Sequence, residues 1–345
     1  MDLNTIWFIL IGVLIAGYAV LDGFDLGVGM LSLFSHSREE RDLFAAAIGP
    51  VWDANEVWLL TGGGALFAAF PPVYATVFSG FYLALMLLLL ALIARAVSLE
   101  FRGLVDSEGW RRVWDWAFGL GSILPSVLFG VAVGNILRGV PIGPDFEWKG
   151  SFLGLLNPYS LLVGLVSCAL FAMHGALYLR MKTEGALASR LKRIALGAFA
   201  AFLALYAAAT ASTVAVSPSL FHKAHSLPFG ILTALLLVAL VVIPLATRAG
   251  RPGLAFAGSA AAIALMIFVS ALSTYPVLVP SRLGLEGSLT IYNASSTPRT
   301  LATMLAIAVV GVPIVLGYTI WMYRTFKGPV RHDGAYSAGA SLRAG

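Results

Sequence analysis

Residues 6–30 read IWFILIGVLIAGYAVLDGFDLGVGM, and this stretch decides the class of fold. The apolar run is long enough to cross a bilayer, which takes about 20 residues in a helix. A helix is the expected form, because lipid offers no hydrogen-bond partner to a bare backbone. Two carboxylates, Asp22 and Asp25, interrupt the run near its end. The stretch therefore predicts a transmembrane helix that carries acids close to one membrane surface.

The composition of the 345 residues is that of an integral membrane protein. Hydrophobic residues make up 59% and charged residues only 11%, whereas soluble domains carry about 25% charged residues. The net charge of +5 does not indicate a nucleic-acid partner, because basic residues in a membrane protein mainly set its orientation. The single cysteine, Cys168, has no second cysteine with which to form a disulfide or a metal motif.

Further apolar runs predict an all-α integral membrane protein with about nine transmembrane helices in a single transmembrane domain, residues 1–327. The runs do not alternate as the strands of a β-barrel would. Only Pro71, Pro72 and Val73 separate the second and third runs, which predicts a tight antiparallel pair. The predicted spans are Ile6–Met30, Val51–Phe70, Tyr74–Val97, Trp116–Leu137, Tyr159–Leu179, Ile194–Val216, Leu227–Ala246, Leu254–Leu278 and Leu301–Tyr323.

The loop charges predict the orientation. With the N-terminus outside, 17 of the 22 basic residues fall on the inner side or in the tail, as the positive-inside rule requires. We expect the first span to be retained rather than cleaved as a signal peptide, since no Lys or Arg precedes it and no small-residue cleavage site follows. Residues 328–345 are expected to form a short, polar, disordered cytoplasmic tail.

Ionisable residues inside a membrane span call for a structural or functional explanation, because a charge at mid-span costs roughly 2.5–3.5 kcal/mol on insertion scales. Asp22 and Asp25 share a helix face through their i, i+3 spacing, and so do Asp53 and Glu56 at the start of the second span. The third span descends to the same side. The candidate cluster comprises Asp22, Asp25, Asp53 and Glu56, with Arg95 and Glu100 as supporting polar residues.

Carboxylates that open toward the cytoplasm suit proton uptake, since each binds a proton and passes it on when burial raises its pKa toward neutrality. A simpler interpretation applies as well. Asp53 and Glu56 would complement the positive end of a helix dipole, and Arg95 would extend its charge to the membrane surface.

Two further side chains inside predicted spans are candidates for a functional role. His174 is the only histidine inside a predicted span. A bis-histidine haem needs a second buried histidine, so a hydrogen bond to a neighbouring helix is the favoured role for His174. Trp58 lies two turns into the second span, deeper than the tryptophans and tyrosines at the span ends, which are typical of an interfacial belt.

Several motifs are specific enough to compare with known families: GYAVLDGFDLGVG at 17–29, GPVWDANEVWL at 49–59, LFAAFP at 66–71, Tyr275-Pro276, SLTIYNASS at 288–296 and Thr300-Leu301. They resemble subunit II of the cytochrome bd-type quinol oxidases. The nine-span layout also fits that family, which is built as two four-helix bundles plus one peripheral helix. Glu56 departs from the pattern, because some relatives carry Gln there.

The resemblance implies a terminal oxidase of a bacterial or archaeal plasma membrane, where the complex oxidises quinol and reduces dioxygen to water in aerobic respiration. Two haems b and a further haem, haem d or a third haem b, are then expected in the partner, subunit I, and none bound by this chain alone. Some members hold a structural quinone in subunit II, and some complexes contain a small single-helix accessory subunit.

The resemblance also assigns roles to individual residues. It implies that this chain stabilises subunit I and contributes to a cytoplasmic proton path at the shared interface. The aspartate that matches Asp53 belongs to that path, and the tryptophan that matches Trp58 is associated with oxygen access. Asp22, Asp25 and Glu56 are expected to extend the path.

Two other classes of protein fit the residues. An ion- or proton-coupled transporter would also use the inner-side carboxylates, but it favours inverted repeats with paired interrupted helices. Pro125, Pro244 and Pro313 are candidate helix breakers, yet they form no matched pair of interrupted spans. A subunit that serves assembly alone would carry the same acids without moving protons.

Overall fold

The structure is a computed structural model that describes residues 1–330. Residues 331–345, most of the predicted tail, lie outside the described residues. The helices are α1 (Leu3–Ser32), α2 (Arg38–Ile48), α3 (Trp52–Ala69), α4 (Pro71–Gly80), α5 (Tyr82–Phe101), α6 (Glu108–Arg138), α7 (Phe152–Leu155), α8 (Pro158–Lys182), α9 (Gly185–Val216), α10 (Leu227–Arg248), α11 (Pro252–Thr274) and α12 (Pro298–Thr325). Two short strands, β1 (Val277–Val279) and β2 (Leu289–Thr290), pair antiparallel.

Eight of the described helices are long and apolar enough to cross a membrane: α1, α5, α6, α8, α9, α10, α11 and α12. The prediction of an all-α membrane protein is thereby confirmed. The predicted span Val51–Phe70 corresponds to α3, which is not among the eight. The 18 residues of α3 begin with a polar turn that contains Asp53, Asn55 and Glu56. The arrangement as two four-helix bundles plus one helix stays a prediction.

Several predicted boundaries differ from the structure. The third predicted span is divided into α4 and α5 at Phe81, and Phe70 alone separates α3 from α4, because Pro71 starts the new helix. Proline suits the first turn of a helix, where its missing N–H has no partner to lose. The run Leu254–Leu278 ends early, since α11 stops at Thr274.

Three prolines that could break a helix lie inside predicted spans, and one predicted loop contains a helix. Pro125, Pro244 and Pro313 lie inside the continuous helices α6, α10 and α12. Neighbouring helices in a membrane re-satisfy the backbone groups that such prolines free. The loop after α1 contains the amphipathic helix α2, whose Phe44 and Ile48 are buried.

Close contact between α1 and α8 places the acids of α1 deep in the array. A Cβ on Gly27 would lie 2.0 Å from the Phe171 carbonyl oxygen and 2.8 Å from the Gly175 Cα. Only glycine at this position lets the two backbones meet, as small residues do at helix crossings in membranes. Asp25 and Asp22, two and five residues before Gly27, are buried completely.

The last helix contacts the rest of the chain chiefly at its two ends. Leu301 and Met322 are the buried residues of α12, and the Trp7 indole N–H donates to the Leu301 carbonyl oxygen at 3.0 Å. Large apolar side chains between these ends, including Ile307, Val310 and Ile314, are exposed. We call the end of the array at which α1 ends and α3 begins the inner end, which the charge pattern predicts to face the cytoplasm.

Candidate functional site

A buried arginine joins two acids from different helices at the inner end. Arg95 on α5 donates from Nη2 to Asp22 Oδ1 on α1 at 2.6 Å and also to Glu56 Oε1 on α3. Arg95 is 1% exposed and Asp22 is 0% exposed, whereas the Glu56 side chain is 27% exposed. The guanidinium therefore joins an acid in the interior to an acid that reaches the surface.

A second chain of hydrogen bonds extends from Asp25 to the last helix. The Asn55 amide Nδ2 donates to Asp25 Oδ2 at 2.7 Å and to the Leu21 carbonyl oxygen at 3.2 Å. Asn55 Oδ1 accepts from the Tyr323 hydroxyl at 2.9 Å. Three helices, α1, α3 and α12, thus meet around one buried carboxyl group.

Several polar atoms of this cluster have no hydrogen-bond partner among residues 1–330. They are the Tyr18 hydroxyl, Asp22 Oδ2, Asp25 Oδ1, and Arg95 Nε and Nη1. Buried polar groups in folded proteins are nearly always paired, and an unpaired group points to a role other than stability. These five atoms are concentrated around three acids and one arginine, which makes this cluster the candidate functional site.

The structure separates the predicted residues into two groups. Asp22, Asp25, Glu56 and Arg95 form the cluster. Asp53 is exposed on the surface of α3 and makes no hydrogen bond or ion pair with the described residues. Glu100 is likewise exposed and outside the cluster, because five residues after Arg95 a helical side chain points about 140° away from it.

Sequence reasoning missed Asn55, Tyr18 and Tyr323 as members of this site. The signal for Asn55 is its place between Asp53 and Glu56 in the polar first turn of α3, where a buried amide needs partners just as an acid does. Tyr323 is one of the aromatic residues at the span ends, and nothing in its own sequence context distinguishes it from them.

His174 takes the role that the sequence favoured. Its Nδ1 lies 2.6 Å from Ser259 Oγ on α11, and its Nε2 lies 3.0 Å from the Val20 carbonyl oxygen on α1. The hydrogen bonds that His174 was predicted to make with neighbouring helices are confirmed. Both ring nitrogens are occupied, so the residue does not fit as a haem ligand. Among residues 1–330, no three His, Cys, Asp or Glu side chains form a group that would hold a metal.

An apolar cavity of about 270 Å³ lies beside the cluster. Trp58 lines it, and so does Tyr18, whose hydroxyl belongs to the unpartnered polar atoms. A Cβ on Gly17 would lie 2.3 Å from the Trp58 ring, so this glycine lets the indole pack against α1. The remaining wall is aliphatic and aromatic, from α1 and α3 to α7. Such a space suits a small apolar molecule rather than a polar one.

Fold and cluster together define a class: a polytopic membrane protein with a charge cluster buried at one end of its helices. The sequence matches the family of cytochrome bd terminal oxidase subunit II over residues 3–326. The chain belongs to this family. It is therefore a component of a quinol oxidase complex, an oxidoreductase, and a multi-pass protein of the plasma membrane. A second subunit implies a subunit I as its partner.

Individual relatives agree with this assignment. The chain is 39% identical to cytochrome bd-I ubiquinol oxidase subunit 2 of Escherichia coli (strain K12), with 96% of each chain covered. It is 37% identical to cytochrome bd ubiquinol oxidase subunit 2 of Bacillus subtilis (strain 168), with 96% of this chain and 98% of the relative covered. A solved structure of bd oxidase from Geobacillus thermodenitrificans shares the fold, with a TM-score of 0.76, 17% identity, and coverage of 94% of this chain and 99% of that chain.

Proposed function

We propose that this chain carries protons from the cytoplasm toward its partner, subunit I, through the acids at the inner end. The proposal places the chemistry of quinol oxidation and dioxygen reduction, with two haems b and a haem d or third haem b, in subunit I. This chain contributes the groups that bind and release the protons that dioxygen reduction consumes. A structural quinone in this subunit and a small single-helix accessory subunit stay predictions.

The observation that carries the proposal is an exposed acid at one end of an exposed apolar stripe on α3. Asp53 is exposed, and the residues that follow it on the same face of α3 are apolar and exposed: Val57, Leu60 and Phe67. An exposed carboxylate beside an apolar stripe is costly next to lipid. A partner subunit that covers this stripe would remove Asp53 from lipid and receive protons from it.

Asp53 is also next to the buried cluster. Glu56 follows it by three residues and is therefore its neighbour on the helix surface. Glu56 contacts Arg95, which holds Asp22. The order from the surface inward is Asp53, Glu56, Arg95 and Asp22. Arg95 stays charged, so its part is to hold Glu56 and Asp22 together while the acids exchange the proton.

Asp53→Asn tests the proton path, because an amide neither takes up nor releases the proton. Quinol-driven oxygen consumption by the purified complex is expected to fall about 10-fold or more, within the range for the loss of a positioned proton-transfer group. The haem absorption spectrum and the amount of subunit I that co-purifies should equal those of the unaltered complex. Asp106→Asn, at an exposed loop acid paired with Arg111, is the matched control.

Two other results would contradict the proposal. Unchanged turnover in Asp53→Asn would mean that no proton passes through this acid. Loss of haem together with loss of subunit I would assign Asp53 to assembly, which is the purely structural interpretation. The family and the relatives named above are oxidase subunits, so they do not favour the transporter interpretation.

The cavity supports a second contribution, access of dioxygen. Its wall is apolar and includes Trp58, the residue for which the resemblance implies this role. Ala132→Leu fills part of the cavity and is expected to raise KM for dioxygen severalfold, with turnover at saturating dioxygen retained. Ala211→Leu, at an exposed position of α9, should leave KM unchanged. An unchanged KM in Ala132→Leu would contradict an oxygen route through this cavity.

A further inference from the structure

The two oxygens of the buried Asp25 carboxyl group have different surroundings. Its Oδ2 accepts a hydrogen bond from Asn55 Nδ2 at 2.7 Å, whereas its Oδ1 has no hydrogen-bond partner in the part of the chain that the structure describes. One oxygen is therefore fixed and the other is available. This is the arrangement expected of a carboxyl group that gains and loses a proton without changing its position.

The amide of Asn55 has only one orientation that satisfies its neighbours. Both hydrogens on Nδ2 are used, one for Asp25 and one for the Leu21 carbonyl oxygen, and Oδ1 accepts from Tyr323. Turning the amide over would bring Oδ1 against two acceptors and the NH₂ group against the hydroxyl. The Tyr323 hydroxyl thus helps to fix which end of Asn55 faces Asp25.

Tyr323 is itself held in place by aromatic packing. Its ring lies edge-on to the ring of Phe24, with a centroid separation of 6.4 Å and an interplanar angle of 78°. Phe24 in turn stacks on Tyr178 at 4.0 Å. Since Phe24 directly precedes Asp25 on α1, the hydroxyl of α12 is positioned by the same turn of helix that carries the acid.

We propose that Asn55 and Tyr323 are positioning residues for proton transfer, which hold Asp25 with Oδ2 fixed and Oδ1 free to exchange a proton. Asn55 acts directly, and Tyr323 acts through Asn55. The last helix of the chain thereby sets the protonation equilibrium of an acid on the first helix. This inference rests on the proposed function, because it assigns to Asp25 a protonation change during turnover.

Infrared difference spectroscopy on the purified oxidase complex tests the proposal without depending on activity. The carboxyl band of Asp25 is identified by its absence in Asp25→Asn, and its intensity is followed as a function of pH. Asn55→Leu removes a hydrogen bond to a charged group, so the titration of this band should move to higher pH by about one to two units.

Tyr323→Phe removes only the hydroxyl, and it leaves the aromatic ring against Phe24. The Asp25 band should move in the same direction as in Asn55→Leu but by a smaller amount, because Asn55 still donates. Turnover should fall about two- to tenfold, as the loss of one neutral hydrogen bond implies, with KM for quinol unchanged. Tyr318→Phe, on the exposed side of the same helix, is the matched control and should alter neither quantity.

The outcomes separate this inference from the proposed function. If the Asp25 band titrates identically in the unaltered complex, Tyr323→Phe and Asn55→Leu, positioning by these residues is overturned. If the band shifts while Asp25→Asn and Asp53→Asn retain full turnover, positioning holds and the proton path fails. A shift of the band in Tyr318→Phe as large as in Tyr323→Phe would also overturn the inference, since it would show a general effect of altering α12.

Discussion

The Arg95 guanidinium lies 2.6 Å from Asp22 Oδ1, and both side chains are almost wholly inaccessible to solvent. Asp22 is on α1 and Arg95 on α5, so the ion pair joins helices that are far apart in the sequence. Glu56 shares the same guanidinium nitrogen. Arginine remains charged under all ordinary conditions, so Arg95 supplies one permanent positive charge to the acids around it.

Replacement of Arg95 by methionine should destabilise the complex strongly. Removing one partner of a buried ion pair leaves an uncompensated charge and costs about 3–5 kcal/mol, so the midpoint of thermal unfolding should fall well below that of the unaltered complex. Arg193→Met is the control, because Arg193 is exposed and forms no ion pair with the described residues. The triple variant Arg95→Met, Asp22→Asn, Glu56→Gln should recover much of the stability. Equal midpoints for Arg95→Met and the unaltered complex would contradict the buried pair.

An added methyl group at Gly27 should force α1 and α8 apart. The Cβ of Gly27→Ala would lie 2.0 Å from the Phe171 carbonyl oxygen, and overpacking of this kind typically costs about 1–3 kcal/mol. Gly197→Ala is the matched control, because no atom lies within 4 Å of the Cβ position, and alanine at an open helical site is neutral or stabilising. Thermal unfolding of both variants measures the difference. A loss of stability in Gly197→Ala as large as in Gly27→Ala would argue against the close crossing.

A pH-dependent ion pair should tie α2 to α9. Glu40 Oε2 accepts hydrogen bonds from Arg190 Nη2 at 2.5 Å and from the backbone N–H of His36 at 2.8 Å. Partial burial acts to raise the pKa of Glu40, but these donors outweigh it and hold the pKa below its ordinary value of 4.5. The stabilisation is therefore present in full at neutral pH and is lost as the pH falls below about 4.5 through the folded-state pKa.

Glu40→Gln is accordingly expected to increase amide hydrogen exchange in α2 at pH 7, by an amount that corresponds to at most about 1 kcal/mol. The variant and the unaltered protein should converge when compared at a pH below the folded-state pKa. Glu184→Gln, at an exposed acid before α9, serves as the control. A difference between Glu40→Gln and the unaltered protein that persists at low pH would rule out the charge as its cause.

The predicted orientation is open to a direct labelling test. Leu285→Cys and Val105→Cys place thiols on exposed loops at opposite ends of the array, in a Cys168→Ala background without other cysteines. A membrane-impermeant maleimide should label Leu285→Cys in intact cells and Val105→Cys only after the membrane is opened. The reverse pattern would place the N-terminus in the cytoplasm and would remove the acids of the inner end from the side of proton uptake.

Much of this architecture follows from local properties of the sequence. Length and hydropathy place α1, α6, α8, α9, α10 and α12 where the apolar runs lie, and the i, i+3 pair Asp22 and Asp25 predicts one polar face. Periodicity gives no information on the rotation of a helix about its own axis within the array. The sequence therefore could not show that Glu56 faces Arg95 while Asp53, three residues earlier, stays on the outer surface.

The remaining misses have a common physical cause, which is that long-range contacts override local signals. Phe81 divides a uniformly apolar run into α4 and α5. Asn55 and Tyr323 are neutral, and their importance arises from the partners that they meet on other helices. A search for charges finds the acids of a buried site but overlooks the amide and hydroxyl that hold them.

The position of Tyr323 near the end of the described chain bears on biosynthesis. Asp25 is translated and inserted into the membrane at the start, whereas the hydroxyl that completes the hydrogen-bond chain around it emerges from the ribosome about 300 residues later. In the folded chain Asn55 donates directly to the acid, and Tyr323 donates to Asn55. The two ends of the polypeptide must therefore both be in place before the acid acquires its final surroundings, so a truncated product retains the carboxyl group but not its mature environment.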